Sequence, residues 1–328
     1  MKALLCHEFG PIENLRVEDV STPVPGPGQL LVQVKAASIN FPDALMVQGR
    51  YQAKPALPFT PGAEMAGVVI ASGAAVDAFR AGDRVMATCG TGAFAEQCVT
   101  DAAQTVPLFA GMDFALGASF LLAYGTALHA VATVGKLVSG QSVLILGAAG
   151  GVGLAAIEIA KIMGARVIAA ASNAEKLALA RRAGADETVD YSQPEWRRQV
   201  EALTAGLGVD VVFDPVGGAY SESALRATAW HGRYLVVGFA SGEIPKLALN
   251  LALLKERALL GVFWGEAMRR DRLQAQADMR QLGQWFLAGK LHPPVTEQVP
   301  LSGAAAAMQR LATRRAMGKI VVLPGSRA

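Results

Sequence analysis

Residues 142–165 read S-V-L-I-L-G-A-A-G-G-V-G-L-A-A-I-E-I-A-K-I-M-G-A, and no other stretch limits so tightly what the chain can fold into. The continuous apolar run from Val143 to Leu146 predicts a buried strand, which must stop at the small residues from Gly147 to Gly153. Leu154, Ile157, Ile159 and Ile162 then fall on one side of a helix that Gly164 ends. Strand, tight turn and helix in that order make an anion site. Backbone N–H groups and the positive end of the helix dipole meet a pyrophosphate at a distance only small residues permit. Aligning Gly153 with the last glycine of G-x-G-x-x-G puts Gly150 second and Ala148 first. The dinucleotide fingerprint is whole apart from that opening alanine, with Gly151 and Val152 completing the cradle.

A glycine fingerprint alone is weak evidence, and its surroundings decide its weight. From residue 142 the chain alternates strand and helix, with further strands expected at 167–171, 187–190, 209–214, 232–238 and 258–263 and helices at 174–183 and 194–204. Six apolar strands with intervening helices predict a doubly wound parallel sheet, whose ligand crevice lies at the carboxyl ends of the strands. Before it, residues 1–94 are punctuated by Pro and Gly, with strands expected at 2–9, 15–20, 29–37, 66–72 and 84–88. That half reads as a small, barrel-like β domain. Residues 110–134 turn Ala- and Leu-rich and predict helices leading into the nucleotide fold. After Gly265 come a charged helix at 269–288 and a strand at 319–323 that is expected to fold back on the first domain.

The end of the second strand separates NAD from NADP. An NAD site needs an acid about 20 residues beyond the glycines to accept from the ribose 2′-OH, and that charge would repel a 2′-phosphate. Here Ala171, Ser172 and Asn173 offer no acid, while Lys176 opens the next helix and Tyr191 follows the third strand. Hydroxyl, ammonium and phenol suit a phosphate, so the pattern points to NADPH. Glu175 argues mildly the other way, and a solvated Lys176 with a partly buried Tyr191 is the plain structural alternative.

Composition removes several other classes. The chain has 328 residues, 52% hydrophobic and 17% charged, with a net charge of +3, which excludes disorder and gives no footprint for nucleic acid. Cys6, Cys89 and Cys98 show neither C-x-x-C spacing nor an obvious disulfide set, which fits a reducing compartment. No apolar run reaches the ~20 residues of a membrane span, and the start of the chain lacks the pattern of a signal peptide. A soluble cytoplasmic protein is expected.

Four segments together carry a resemblance: A-S-I-N-F-P-D at 37–43, P-G-A-E-M-A-G at 61–67, A-Y-G-T-A at 123–127 and G-A-A-G-G-V-G at 147–153. In order and spacing the chain resembles the medium-chain dehydrogenase/reductases over nearly its whole length, and within them the zinc-independent quinone oxidoreductase and zeta-crystallin branch. The resemblance implies an α/β protein in which a GroES-like β-rich catalytic domain, residues 1–122 and 265–328, is interrupted by a Rossmann domain at 123–264. The cofactor would lie in the cleft between them, and residues 258–263 would pair sheet edges across the two-fold axis of a homodimer.

Zinc members of that superfamily carry Cys where Asn40 stands and G-H-E where this chain has Gly62, Ala63 and Glu64, so neither a thiolate nor an imidazole is available at those positions. No metal is expected. Without a Lewis acid a simple alcohol or ketone is poorly polarised, whereas a conjugated acceptor such as a quinone or enone spreads the incoming charge onto its own oxygen.

Asn40, Asp43 and Tyr51 share one stretch that also resembles the mitochondrial-type 2-enoyl thioester reductases, where a matching tyrosine is assigned to proton donation. Asn40 can donate its amide to a carbonyl or serve as a turn residue. Tyr51 can protonate or hydrogen-bond an enolate, and Asp43 suits a helix cap better than a catalytic base. The resemblance sets Thr126 against the nicotinamide. Gly238, Phe239 and Phe263 end the fifth and sixth strands at the crevice, with packing as the alternative for both aromatics. Arg314 or Lys319 can reach the cofactor from the tail or stand as surface charge. The readings left open are reduction of a quinone or similar conjugated carbonyl by NADPH, reduction of an unsaturated acid or enoyl thioester, and a crystallin-like NADPH-binding protein without catalysis.

Overall fold

Six parallel strands run in the spatial order Glu187–Asp190, Arg166–Ala171, Ser142–Ile145, Val209–Asp214, Thr228–Val236 and Ala258–Gly261. The order reverses beside Ser142–Ile145, the strand that carries the glycine turn, so the turn opens where a doubly wound sheet leaves its crevice. Val143, Leu144, Ile145, Val211, Val212 and Phe213 are inaccessible to solvent, which explains why the central strands read as unbroken apolar runs. This computed structural model describes residues 1–326 and separates into two compact units, Met1–Leu122 with the segment from Pro293 on, and Ala123–His292.

The first unit is built on a seven-stranded mixed sheet. Its path runs Val295–Pro300, Lys319–Leu323, Gln29–Ser38, Glu64–Ser72, Arg84–Thr88 and Thr105–Pro107, and Gln97–Asp101 pairs with Gln29–Ser38. All its pairs are antiparallel except the first, which is parallel. A core of Leu30, Val32, Val34, Met65, Val85, Phe94 and Ile320 packs inside it, and the helix Phe41–Val47 contributes Ala44, Met46 and Val47. The pairing of Val321 with Ser38 brings the C-terminal strand against the segment that leads into Asn40.

Several elements differ from the sequence expectation. Strands 97–101, 105–107 and 295–300 go unannounced in the sequence because they are short or carry polar residues such as Gln97, Thr105, Thr296 and Glu297 at half their positions. The fifth parallel strand begins at Thr228, passes through His231 in a left-handed conformation (φ 56°), and ends at Val236, so Gly238 and Phe239 lie beyond it. The charged helix is two helices, Trp264–Arg270 and Arg272–Leu287. Asp271 breaks them, its carboxylate accepting from the Gln274 N–H at 3.0 Å. Residues 265–292 stay with the second unit, and the chain returns to the first at Pro293 rather than at 265. Among the described residues no helix is long and apolar enough to cross a membrane.

Candidate active site

The glycine turn is built almost entirely of backbone. Gly147 adopts φ +57°, a left-handed conformation that turns the chain sharply off its strand. The buried Ala148 donates its N–H to Ala170 O at 3.1 Å, and Gly150 donates to Gly147 O at 2.9 Å. Gly150 is then the N-cap of the twelve-residue helix Gly151–Ile162, and among the described residues no side chain caps that helix. The backbone N–H groups of Gly151 and Val152 therefore face outward at the positive end of the dipole. A Cβ on Gly153 would lie 2.5 Å from Gly147 O, so helix and turn are packed too closely for any side chain there. An uncapped helix start under a loop without side chains fits the pyrophosphate of a dinucleotide.

One strand over, Lys176 Nζ donates to Ser172 Oγ at 3.3 Å, and Asn173 Oδ1 caps the helix by accepting from Lys176 N at 2.9 Å. Tyr191 N–H donates to Ala171 O at 3.0 Å, which brings Tyr191 beside the same strand end. Its ring also lies 4.4 Å from that of Tyr220, so Tyr191 is partly a packing residue. Glu175 is exposed on the helix and makes no acidic lining for a ribose. Ser172, Lys176 and Tyr191 thus come together, a hydroxyl, an ammonium and a phenol with no carboxylate among them.

At the carboxyl end of Val209–Asp214 the structure adds a residue the sequence reading missed. Asp214 is buried and fully used: Oδ1 accepts from the N–H groups of Val216 (2.7 Å) and Gly217 (2.9 Å), and Oδ2 from Ser221 Oγ (3.0 Å) and Tyr234 Oη. It fixes the turn that holds Gly217 and Gly218, both at positive φ, and a Cβ on Gly217 would meet the Phe239 ring at 2.8 Å. The run D-P-V-G-G after a buried strand was the available signal. Gly238 donates its N–H to Asp214 O at 3.3 Å, so Gly238 and Phe239 belong to this same loop cluster. Phe263 is 56% exposed and its neighbour Trp264 is the buried ring, seated so closely on Gly125 that a Cβ there would lie 2.2 Å from the indole. Thr126 follows Gly125 in the helix Leu121–Leu128 and is half-buried.

In the first unit, five polar residues distant in sequence form one buried cluster. Lys319 Nζ donates to Asn40 Oδ1 at 2.6 Å and pairs with Glu64 Oε2 at 3.5 Å, both charges shut off from solvent. Asn40 Nδ2 faces Ser38 O, Ser38 Oγ and Glu64 Oε2 at 3.2, 3.2 and 3.3 Å. Ser38 Oγ donates to Glu64 Oε2 at 3.0 Å, while Glu64 Oε1 accepts from Leu122 N at 2.8 Å. Both ends of the Asn40 amide are therefore taken up inside the protein, where sequence reasoning had allowed it to donate to a ligand. Lys319 is neither surface charge nor a free arm of the tail. It is a buried cation at the side chain that stands where zinc relatives place a thiolate.

Asp43 closes this cluster as the third residue of the helix Phe41–Val47. Its Oδ2 accepts from Asn40 N at 2.7 Å, the carboxylate half of a capping box. Burial pushes its carboxyl up to about 7 and Glu64 adds to the rise, against the Asn40 N–H and the Lys319 ammonium, which favour the anion. The Ala63 N–H is near enough to favour the anion too, yet among the described residues Oδ1 has no hydrogen-bond partner. Tyr51 is half-buried against the same core, its hydroxyl held above the usual value by burial and then by Asp43. Among the described residues no three His, Cys, Asp or Glu side chains are grouped to hold a metal ion.

Comparisons with known proteins agree with this geometry. The family model described as "Alcohol dehydrogenase GroES-like domain" matches residues 26–119, and the one described as "Zinc-binding dehydrogenase" matches 151–286. The chain is 36% identical to a quinone oxidoreductase-like protein 2 homolog of Nematostella vectensis, over 98% of this chain and 88% of that protein. It is also 36% identical to a quinone oxidoreductase of Pseudomonas aeruginosa, over 96% of this chain and 97% of the other. The crystal structure of Escherichia coli quinone oxidoreductase complexed with NADPH superposes with a TM-score of 0.93 at 26% identity, covering 99% of this chain and 100% of that one.

Proposed function

We propose that this chain, which belongs to the quinone oxidoreductase family of the medium-chain dehydrogenase/reductases, is an NADPH-dependent reductase of a quinone or similarly conjugated carbonyl acceptor. The observation that carries this reading is the Lys319–Asn40–Glu64 cluster. At the two positions where zinc relatives carry ligands this chain sets an amide, Asn40, and an alanine, Ala63, and the amide is already satisfied by the buried Lys319 ammonium and its neighbours. No Lewis acid is recruited by such a set, and an acceptor that delocalises charge onto its own oxygen needs none. NADPH, when bound, supplies the hydride. The Gly151 and Val152 N–H groups would hold its pyrophosphate, and Ser172, Lys176 and Tyr191 its 2′-phosphate, while Thr126, Phe239 and Phe263 are assigned to its nicotinamide end.

Tyr51, with its hydroxyl protonated at neutral pH, is assigned to protonate the oxygen of the acceptor. Asn40 acts from behind, as the cap that fixes the Phe41–Val47 helix carrying this stretch. The same tyrosine favours a second reading, reduction of an enoyl thioester. NADPH oxidation measured side by side with 1,4-benzoquinone and with an enoyl-CoA separates the two. Turnover of the quinone is expected, and its absence sinks the first reading. Ala258–Gly261 is a sheet edge with Leu259 exposed, and the proposal extends to a homodimer through it. A monomer in sedimentation would remove that extension.

A further inference from the structure

Inside the second unit, a carboxyl group on the dinucleotide helix ties down the segment A-Y-G-T-A. Glu158 is the eighth residue of Gly151–Ile162, and its side chain is 10% exposed. Its Oε2 accepts from the hydroxyl of the buried Tyr124 at 2.6 Å. The His292 N–H points at the same group, 3.3 Å from Oε1 and 3.1 Å from Oε2, and His292 Nδ1 lies 3.4 Å from Oε1. Tyr124 and His292 stand at the two ends of the unit Ala123–His292, so one side chain joins both ends to the helix whose start stands bare for an anion. Burial, then the Glu158 charge, raises the Tyr124 hydroxyl well above its usual value, so it stays a donor. Burial also raises Glu158, against the Tyr124 hydroxyl and the His292 N–H, which favour the anion.

The tie reaches Thr126 through helix geometry. Successive residues of a helix turn by about 100°, so Thr126, two places past Tyr124, faces nearly the opposite way. Tyr124 is accordingly buried and Thr126 half-buried. Gly125 between them is pinned as well, because the buried Trp264 indole occupies the space a Cβ would need, 2.2 Å from it. Rotating the Leu121–Leu128 helix about its axis would break the Tyr124 bond and drive the helix into the indole. On the other helix, Glu158 lies seven steps beyond Gly151, about 10 Å of axial rise. The Tyr124 bond thus fixes the position of Thr126 relative to the N–H groups of Gly151 and Val152.

We propose that Glu158 is a positioning residue for the reduction. Acting through Tyr124, it holds Thr126, assigned to the nicotinamide end, at a set distance from the N–H groups assigned to the pyrophosphate. The proposal deepens the reductase reading and rests on it. A cofactor gripped at two separated places delivers its hydride in register only if those places keep their spacing, and a misplacement of about 1 Å can cost about 100-fold in rate. The helix start holds an anion and has no means of orienting a ring at the far end of the molecule. A bond between the two protein segments supplies that spacing. Neither Glu158 nor Tyr124 has to touch cofactor or acceptor to do so.

The test compares the wild type, Tyr124→Phe and Glu158→Gln for binding of NADPH and of 2′-phospho-ADP-ribose, which keeps the pyrophosphate and the 2′-phosphate but lacks the nicotinamide. Both affinities are read by quenching of protein fluorescence, with no acceptor present. Tyr124→Phe removes a single oxygen, and urea unfolding should show it folded. It should weaken NADPH by about fivefold and leave 2′-phospho-ADP-ribose within about twofold of the wild type. In single turnover with 1,4-benzoquinone its hydride transfer should slow by about tenfold. Glu158→Gln should keep both affinities and the rate, because its amide oxygen can still accept from Tyr124. Equal loss of the two ligands in Tyr124→Phe would show that the bond only steadies the helix and would overturn the inference, as would no loss of either. A wild type that binds NADPH and reduces no quinone sinks the quinone reading, and the two affinities then decide the inference by themselves.

Discussion

The dinucleotide turn and the buried polar cluster solve opposite problems. Residues 147–153 bind with the backbone, so side chains are removed until N–H groups and a helix end stand bare. Ser38, Asn40, Glu64 and Lys319 do the reverse, filling a buried interior with side-chain polar groups that answer one another. The first arrangement is sensitive to added atoms and tolerant of lost charge. In the second, added methyls matter less than a lost charge, because the low dielectric that strengthens each bond also magnifies any group left alone. The two regions should therefore fail in different ways.

The largest effect is expected where a charge is stripped from the cluster. Lys319→Met leaves Glu64 buried beside Asn40 without its cation and should cost about 3–5 kcal/mol in urea unfolding. Adding Glu64→Gln to that variant should restore much of the loss, since Gln can still accept from Leu122 N. A single variant as stable as the wild type would show that the pair is not coupled, and the contrast between the regions would fail at its strongest point.

Asp43→Asn is expected to act in the opposite direction and only with pH. The folded carboxyl sits at about 7, above its unfolded value, so the folded state holds a proton that the unfolded chain releases first. The stability this contributes is whole below the unfolded value near 4 and is lost as pH rises toward 7, at up to about 1.4 kcal/mol per pH unit. The asparagine can still accept from Asn40 N and does not titrate. The variant's unfolding free energy should therefore gain on the wild type between about pH 4 and 7 and hold a constant lead above. Parallel curves across that range would place the proton elsewhere.

How much of each region the sequence disclosed follows from the same contrast. The turn was legible because its determinants are contiguous: a strand, seven small residues and a helix within residues 142–165. The cluster was not, because Lys319 meets Asn40 across 279 positions and Glu64 across 255, and it is sheet pairing, Lys319–Leu323 against Gln29–Ser38 and Gln29–Ser38 against Glu64–Ser72, that brings them together. Sequence reasoning singled out Asn40, Asp43, Glu64 and Lys319 one at a time, yet it offered Asn40 an outward role that its inward bonds occupy. Asp214 was missed for a related reason, since it reads as the polar end of a strand until Tyr234, twenty residues later, is seen to point back at it. Patterns of period two or 3.6 disclose which face is buried, and they carry nothing about which buried polar groups satisfy one another.

A smaller effect tests the turn by adding a single carbon. Gly153→Ala places a Cβ 2.5 Å from Gly147 O, against backbone that cannot swing aside. The strain should cost about 1–3 kcal/mol of stability and open the turn from the helix. NADPH affinity, followed by quenching of protein fluorescence, should fall by at least tenfold, while the pH dependence assigned to Asp43 stays in place. Unchanged affinity would mean that the pyrophosphate does not use this helix end.

The smallest effect expected, and the one that bears on cofactor choice, comes from charge at the turn's far side. Lys176 reaches Ser172 at 3.3 Å in a partly buried contact at the end of the second parallel strand, where the solvent that still reaches it weakens the electrostatics. Lys176→Ala should therefore leave folding unaffected and weaken NADPH by about tenfold, or about 1.4 kcal/mol, with NADH binding unchanged because it lacks the 2′-phosphate. The loss should shrink as salt is raised, since a screened surface charge is what has been removed. An equal loss for both cofactors would place Lys176 on the pyrophosphate rather than on the 2′-phosphate. No loss for either would leave Ser172 and Tyr191 to discriminate with neutral hydrogen bonds alone, which are about half as strong as charge-assisted ones.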